Sequence, residues 1–302
     1  MKCEEIISVL NDAIFGKDKQ ELIERLAENP ERFIGLFRPT KPYAKAIQFL
    51  LQCHEIKFGD AMEDIIANIF KEHGFNSKVN ERLTSNGKNL SVDILLEGDK
   101  SAYLIEVKVR DDHDSSKKEG QIFNFQRKLE AFIKVYGEYE NLAGIMYFID
   151  NTFQKNKNYY ESKLRELSSF FNLEVYLFYG RELFEFFHIG QDWDNLVCCI
   201  ESWKKTLPDF PVIDYDSDVE DSFTKLKDLS VSTWKKIVEN DALWEEDGIM
   251  KVLFKEGTTL KELCKYFRNF NGRLKPAYLR LAELLERKIA KIYKEVKSCQ
   301  SL

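Results

Sequence analysis

The sequence lacks the features that would place it in several common protein classes. Its six cysteines form no CxxC pair, and no histidine follows any of them at zinc-finger spacing, which argues against a structural zinc site. No apolar run is long enough to span a bilayer. The N-terminus "MKCEEIISVL" carries acids at positions 4 and 5, so it does not match a signal peptide. Scattered single thiols are typical of a reducing compartment, so we expect a cytoplasmic protein.

A large excess of one charge is also missing. The formal net charge of -6 over 302 residues argues weakly against a protein coated in nucleic acid. The charge is unevenly distributed, because residues 209–247 hold 12 acidic and 4 basic side chains, whereas residues 251–297 hold 13 basic and 5 acidic ones. A local basic cleft is therefore compatible with the acidic total. The 44% of apolar residues are enough for a core.

The order of predicted elements divides the chain into three segments. Residues 1–57 show helical spacing of apolar residues, interrupted by prolines. Residues 58–190 predict a helix, three strands, and then helix, strand, helix, strand and helix. Residues 191–302 are helical again, with an acidic linker "PDFPVIDYDSDVED". We therefore predict an α/β protein, with a mixed β-sheet core flanked by helices and with helical N-terminal and C-terminal additions.

Two helix boundaries in the central segment are predicted from capping residues. In "FGDAMEDIIANIFKEHG" (58–74), Asp60 is suited to begin a helix and Gly74 to end it. Ser115 or Ser116 is suited to cap a second helix that runs to about Tyr136. Between them, "SVDILLE" and "AYLIEVKV" form a predicted hairpin.

This hairpin carries charges where apolar residues are expected. Asp93 interrupts its first strand, and Glu106 and Lys108 interrupt the second. Residues two apart in a strand share a face, so Glu106 and Lys108 point one way while Ile105 and Val107 point into the core. Strand pairing brings Asp93 near Glu106. Two carboxylates about 4 Å apart repel by roughly 4 kcal/mol at an effective dielectric constant near 20, which predicts a cation between them.

Two cations satisfy this requirement. Lys108 is one candidate, and a hard divalent ion such as Mg²⁺ is the better one, because all the available donors are oxygens, including the backbone carbonyl of Val107. A metal with a neighbouring lysine suits phosphodiester hydrolysis, in which the lysine orients or deprotonates the attacking water. A D…ExK pattern also arises in an edge strand with a solvated face, and that alternative stays open at this point.

The pattern resembles a known superfamily. "VD" (92–93) followed by "EVK" (106–108) in this strand–strand–helix context is similar to the PD-(D/E)xK nucleases over roughly residues 58–190, with Val92 in place of proline. The resemblance implies a restriction-endonuclease-like fold and Mg²⁺ as cofactor, with Mn²⁺ as a substitute. It implies Asp93 and Glu106 as catalytic metal ligands, Lys108 as a catalytic residue, and Glu63 as a further acidic metal ligand. For Glu63 the alternative is an acid favoured by the helix dipole in a first turn.

A narrower resemblance follows from the next stretch. "KVRDDHDSSKKEGQIFNF", with "HEIKFGDAMEDI" and "MYFIDNTFQKNKNYY", is similar to a group of type II restriction endonucleases that includes cutters of short interrupted palindromes such as GANTC. It implies a bacterial homodimer that cuts double-stranded DNA and is paired with a cognate methyltransferase. Gln121 becomes a catalytic candidate near the scissile phosphate, and Arg110, Lys117 and Lys118 become DNA contacts. Glu119 stands where members often have arginine.

The basic C-terminal segment and two tryptophans complete the candidates. Arg268, Arg273 and Lys275 lie near aromatic residues in the sequence, and they suit either DNA-backbone contact and dimerisation or a solvated helical face. Core packing is the expectation for Trp234 and Trp244. His113 is a weaker candidate for a general base than Lys108.

Three functions fit this sequence. The first is a Mg²⁺-dependent type II restriction endonuclease that leaves 5′-phosphate ends. The second is a nuclease for DNA repair or branched junctions. The third is a DNA-binding module that retains the fold without activity, and the intact set of Asp93, Glu106 and Lys108 argues against it.

Overall fold

The computed structural model describes residues 1–85, 88–112, 114–211, 213–245 and 248–293. The chain divides into two compact units, and each is discontinuous in sequence. The first unit comprises Met1–Ala13 and Lys57–Leu207, and the second comprises Ile14–Ile56 and Pro208–Leu302. The predicted division was into three consecutive segments with boundaries at 57 and 190. In the structure, residues 1–13 and 191–207 belong to the same unit as the sheet. An amphipathic pattern shows that a helix has a buried face, but it does not show which core that face meets.

A mixed sheet forms the centre of the first unit. Within the described residues it has five strands in sequential order, of which the first three pair antiparallel and the last three pair parallel. The strands are β1 (Asn76–Ser85), β2 (Lys88–Glu97), β3 (Ser101–Lys108), β4 (Asn141–Phe148) and β5 (Glu174–Tyr179). The mixed α/β class, the flanking helices and the predicted order of elements are confirmed.

The helices of both units can be given together in chain order. They are α1 (Cys3–Phe15), α2 (Asp18–Glu28), α3 (Glu31–Ile34), α4 (Pro42–Glu72), α5 (Ser115–Tyr136), α6 (Lys157–Phe171), α7 (Arg181–Phe186), α8 (Gly190–Lys204), α9 (Val219–Leu226), α10 (Val231–Glu239), α11 (Ile249–Leu253), α12 (Thr258–Asn269) and α13 (Lys275–Ile292). Among the described residues, no helix is both long and apolar enough to cross a membrane.

Helix α4 corrects one predicted boundary. It is continuous for 31 residues, so Asp60 lies inside it and does not cap its start. A single interior glycine such as Gly59 costs only about 1 kcal/mol, which does not stop a helix of this length. The predicted end is confirmed, since Gly74 adopts a left-handed conformation with φ of 86° just after the last turn.

Helix α5 corrects a second boundary. Asp114, in an extended conformation, caps it by accepting a hydrogen bond from the Lys117 backbone N–H at 3.1 Å. Ser115 and Ser116 therefore fall inside the helix. Aspartate and serine are nearly equal as N-caps, so the sequence could not choose between neighbouring candidates. The apolar stripe of α5, which includes Phe125, Leu129 and Phe132, packs on the sheet.

The second unit is helical in its described residues. Its core includes Trp234 and Trp244, the two tryptophans for which core packing was predicted. Trp234 and Trp244 are fully buried, and each indole N–H donates to a backbone carbonyl, of Leu226 and Ile237 respectively. The prediction that they pack in a core is confirmed.

One pair of cysteines departs from the predicted unpaired thiols. Cys3 of α1 and Cys199 of α8 form a disulfide across 196 residues of sequence, with their Cα atoms 5.4 Å apart. No spacing rule connects residues so distant, because only folding brings the two helices side by side.

Candidate active site

The charged positions of β2 and β3 meet at one place on the sheet. The antiparallel register pairs Ile94 with Ile105 and Leu95 with Leu104, so the next pair along sets Asp93 against Glu106. Ile105 and Val107 are buried. Glu106 is also buried, with 7% of its side chain exposed, which rules out a solvated edge face as the explanation for this charge.

Lys108 contacts every predicted member of this cluster. Its Nζ lies 3.1 Å from Asp93 Oδ2 and 2.9 Å from Glu106 Oε1, and it donates to the carbonyl oxygen of Val107 at 2.6 Å. Asp93 Oδ2 also accepts from the Val107 backbone N–H at 2.9 Å. The aspartate side chain is thereby fixed to the neighbouring strand.

The electrostatics keep Lys108 charged. Burial by itself lowers the pKa of the ammonium group, but the adjacent Glu106 and Asp93 carboxylates outweigh it and raise the pKa above its ordinary value. A lysine held this way donates hydrogen bonds to the carboxylates and the carbonyl. Its part in orienting or deprotonating the attacking water stays a prediction.

Sequence reasoning missed a second lysine at the same carboxylates. Lys128 of α5 lies with its Nζ 3.2 Å from Asp93 Oδ1 and in contact with Glu106 Oε2. Only 12% of its side chain is exposed. A signal was available, since Lys128 occupies the apolar stripe between Phe125, Leu129 and Phe132, where a charge needs a buried partner.

Glu63 of α4 lies close enough to Asp93, Glu106 and Lys108 for their charges to shift its pKa. Its partial burial, together with the negative charges of Asp93, Asp60 and Glu106, raises its pKa from 4.5 to about 8, and Lys108 partly opposes this shift. Because Glu63 lies in the middle of a long helix, the dipole of a first turn does not explain its presence.

The raised pKa of Glu63 predicts a pH-dependent stability in metal-free protein. Between pH 4.5 and 8 the folded state binds a proton that the unfolded state releases, so the free energy of unfolding falls as pH rises through this window. Glu63→Gln is expected to remove this fall. Urea unfolding from pH 5 to pH 9 with a chelator present would measure it. Parallel curves for wild type and variant would contradict the shift.

The donor set fits a hard divalent cation. Asp93, Glu106 and the Val107 carbonyl present oxygen atoms alone, and these atoms already gather around positively charged groups. In the described part of the chain, no three His, Cys, Asp or Glu side chains lie close enough together to hold a metal ion. Glu63 is therefore not close enough to Asp93 and Glu106 to form a three-residue metal site with them. In this structure the ammonium groups of lysines lie between the two carboxylates.

A comparison with protein families identifies the family of the chain. The model of the family described as "Type II restriction endonuclease, HinfI" matches residues 2–90 and 80–204, about two thirds of the chain. The chain belongs to the HinfI family of type II restriction endonucleases. It is accordingly a site-specific endonuclease, and enzymes of this class generally use divalent metal ions.

Two further comparisons add little to the family assignment. No curated protein matches the HinfI-family chain. Among solved structures, the "Crystal Structure of Protein of Unknown Function AF1548" is similar at 12% identity and a TM-score of 0.27, and the match covers 76% of this chain and 96% of that one.

In the HinfI-family enzyme, the predicted DNA contacts of the first unit follow β3 in the chain. Arg110 is exposed, with its Nε 4.0 Å from Asp150 Oδ2. Lys117 is exposed at the start of α5. Lys118 donates to Asn156 Oδ1 at 3.3 Å and lies over the Tyr159 ring, 4.5 Å from its centre. Their contact with DNA stays a prediction.

Gln121 has a different partner from the predicted one. Its Oε1 accepts a hydrogen bond from the Tyr160 hydroxyl at 2.6 Å. Across the described residues, no hydrogen bond links Gln121 to Asp93, Glu106 or Lys108. Its catalytic role stays a prediction, and His113 lies outside the described residues.

The basic residues predicted near the C-terminus belong to the second unit. Arg273 and Lys275 are exposed at the start of α13. Arg268 of α12 pairs with Glu286 of α13, with 2.5 Å between Nη2 and Oε2. This is a surface ion pair between two exposed side chains, and contact of Arg268, Arg273 and Lys275 with DNA stays a prediction.

A buried carboxylate that the sequence did not single out lies beyond the end of β3. Asp111 is fully buried, and it accepts hydrogen bonds from Asn156, through both the backbone N–H and Nδ2 at 2.8 Å. It also accepts from the Tyr179 hydroxyl at 3.1 Å. Asp111 therefore connects the loop before α6 to the end of the strand that carries Glu106 and Lys108.

Proposed function

We propose that this HinfI-family protein hydrolyses phosphodiester bonds of double-stranded DNA at a short, two-fold symmetric sequence, with Mg²⁺ as cofactor. One observation carries the proposal: Asp93 and Glu106, from neighbouring strands, converge with the Val107 carbonyl and Lys108 within hydrogen-bonding distance. Each buried charge costs several kcal/mol unless it is compensated, and a divalent cation between the two acids would supply that compensation.

Each residue has a defined part in the proposed reaction. The carboxylates of Asp93 and Glu106 and the carbonyl of Val107 would hold Mg²⁺, which supplies positive charge to the scissile phosphate and makes water a better nucleophile. Lys108, kept protonated by its neighbours, would orient the attacking water and offset the developing negative charge. In-line attack would leave a 5′-phosphate and a 3′-hydroxyl. Mn²⁺ would substitute for Mg²⁺.

The biological setting follows from the same proposal. A two-fold palindrome pairs naturally with a two-fold symmetric protein, so we propose a homodimer. A host protects its own sites from such an enzyme by methylation, so we propose a cognate methyltransferase as functional partner. Arg110, Lys117 and Lys118 would contact phosphates near the cut, and Arg273 and Lys275 would contribute further backbone contacts.

Digestion of plasmid DNA tests the proposal directly. The purified full-length protein with Mg²⁺ is expected to give discrete fragments whose ends map to one interrupted palindrome. A duplex that contains GANTC is the first candidate, because the resemblance points to that class of site. Asp93→Asn is the matched inactive control. Cleavage confined to branched DNA without sequence preference would favour a repair nuclease, and no Mg²⁺-dependent cleavage on any duplex would favour an inactive DNA-binding module.

A further inference from the structure

The strongest unexplained feature of the site is the way Lys128 duplicates Lys108. Each carboxylate uses one oxygen for each lysine: Lys108 contacts Asp93 Oδ2 and Glu106 Oε1, and Lys128 contacts Asp93 Oδ1 and Glu106 Oε2. The four groups form a closed ring in which two positive charges balance two negative ones. Lys128 reaches this ring from α5, across from the strand that carries Lys108.

The charge balance has a consequence for a divalent cation. With both lysines in place the ring is neutral, so a divalent ion added to it would leave a net charge of +2 in a largely buried site. Each lysine faces one oxygen from Asp93 and one from Glu106, which is the kind of oxygen pair through which two strands can share one ion. An ammonium group and a hard cation therefore require the same position.

We propose that Lys128 holds the Asp93 and Glu106 carboxylates together in the metal-free protein and that a divalent cation must displace it to bind. This inference rests on the proposed function, since it concerns the same metal site. Lys128 is a positioning residue here. Within the described residues, Lys128 has the two carboxylates as its hydrogen-bond partners, whereas Lys108 has a third partner in the Val107 carbonyl, whose second lone pair stays open to a cation. The flexible four-carbon stem of Lys128 allows its ammonium to leave the carboxylates without movement of α5.

If the cation displaces Lys128, the variant Lys128→Met should have lower stability without metal but higher affinity for the metal. Without metal, the variant leaves two buried carboxylates with a single counter-charge, so its thermal midpoint should fall below that of the wild type. With metal, the variant has no competitor to displace, so it should bind the ion about ten-fold more tightly. A residue that merely stabilised the fold would produce only the first effect.

Two measurements on the full chain without DNA test these expectations. Calorimetric titration gives the affinity for Mn²⁺, and thermal unfolding with and without Mn²⁺ gives the thermal midpoints. Lys134→Met is the matched control, because Lys134 is an exposed lysine of the same helix paired with Glu130. It should change neither quantity. Lys128→Met should bind Mn²⁺ more tightly, and saturating Mn²⁺ should close its gap in thermal midpoint. Equal or weaker Mn²⁺ binding by Lys128→Met would overturn the inference.

Two further variants keep the test decisive. If Lys128→Met does not fold without metal, Lys128→Arg provides a second test. This variant retains a permanent positive charge, so it should bind Mn²⁺ no more tightly than the wild type. Tighter binding by Lys128→Arg would overturn the inference. Asp93→Asn should lose Mn²⁺ binding. If it binds Mn²⁺ like the wild type, the metal site itself is wrong, which overturns the proposed function and not only the role of Lys128.

Discussion

Lys108→Met is expected to reduce DNA cleavage by about 10²–10⁴-fold while DNA binding changes by less than a few-fold. Lys108 is the group that contacts both carboxylates and the Val107 carbonyl, and a protonated ammonium at that point is suited to orient water toward a phosphate. Methionine keeps most of the stem and removes only the charge. Because phosphate contacts elsewhere dominate affinity for DNA, binding should survive the change.

The measurement for Lys108→Met separates the two effects. Plasmid digestion with Mg²⁺ reports cleavage, and gel-shift titration in the presence of a chelator reports binding. Lys134→Met serves again as the control for removal of a lysine from an exposed position. The thermal midpoint of Lys108→Met should be recorded, since two carboxylates then share Lys128 alone. Undiminished cleavage by Lys108→Met would remove Lys108 from the mechanism.

The sequence was most informative where a short-range pattern determines the geometry. Alternation along a strand fixes which side chains share a face, and that rule places Glu106 and Lys108 together from the order of residues alone. Antiparallel pairing across a short turn adds Asp93. These relations are local, so they can be derived from the single stretch "SVDILLEGDKSAYLIEVKV".

Relations between distant elements were beyond the same reasoning. Lys128 lies 20 residues after Lys108, and its place on the apolar stripe of α5 indicates a buried partner without identifying that partner. Only the packing of α5 on the sheet directs it to Asp93. The disulfide between Cys3 and Cys199 and the burial of Asp111 also depend on which elements pack together, and no spacing in the sequence encodes that.

Asp111 is the other residue with a large expected effect, because its burial is complete and its partners come from two other parts of the chain. Asn156 precedes α6 and Tyr179 ends β5, so one carboxylate joins three segments at the same end of the sheet as Lys108. Burial and the negative charge of Asp111 raise the pKa of the Tyr179 hydroxyl, which keeps it a hydrogen-bond donor. Asn156 in turn accepts from Lys118, a predicted DNA contact.

Asp111→Ala is therefore expected to destabilise the first unit by about 3 kcal/mol or more, because it leaves three buried donors without their acceptor and each costs about 1–3 kcal/mol. Urea unfolding gives the free energy, and hydrogen exchange should show faster opening in β3, β4 and the loop before α6. Asp99→Ala is the matched control, since it removes an exposed acid from another loop of the same unit. Equal stabilities for the two variants would show that the hydrogen bonds of Asp111 do not hold the loop against the sheet. A loss of DNA affinity in Asp111→Ala, at temperatures where the protein stays folded, would show in addition that Lys118 depends on this carboxylate for its position.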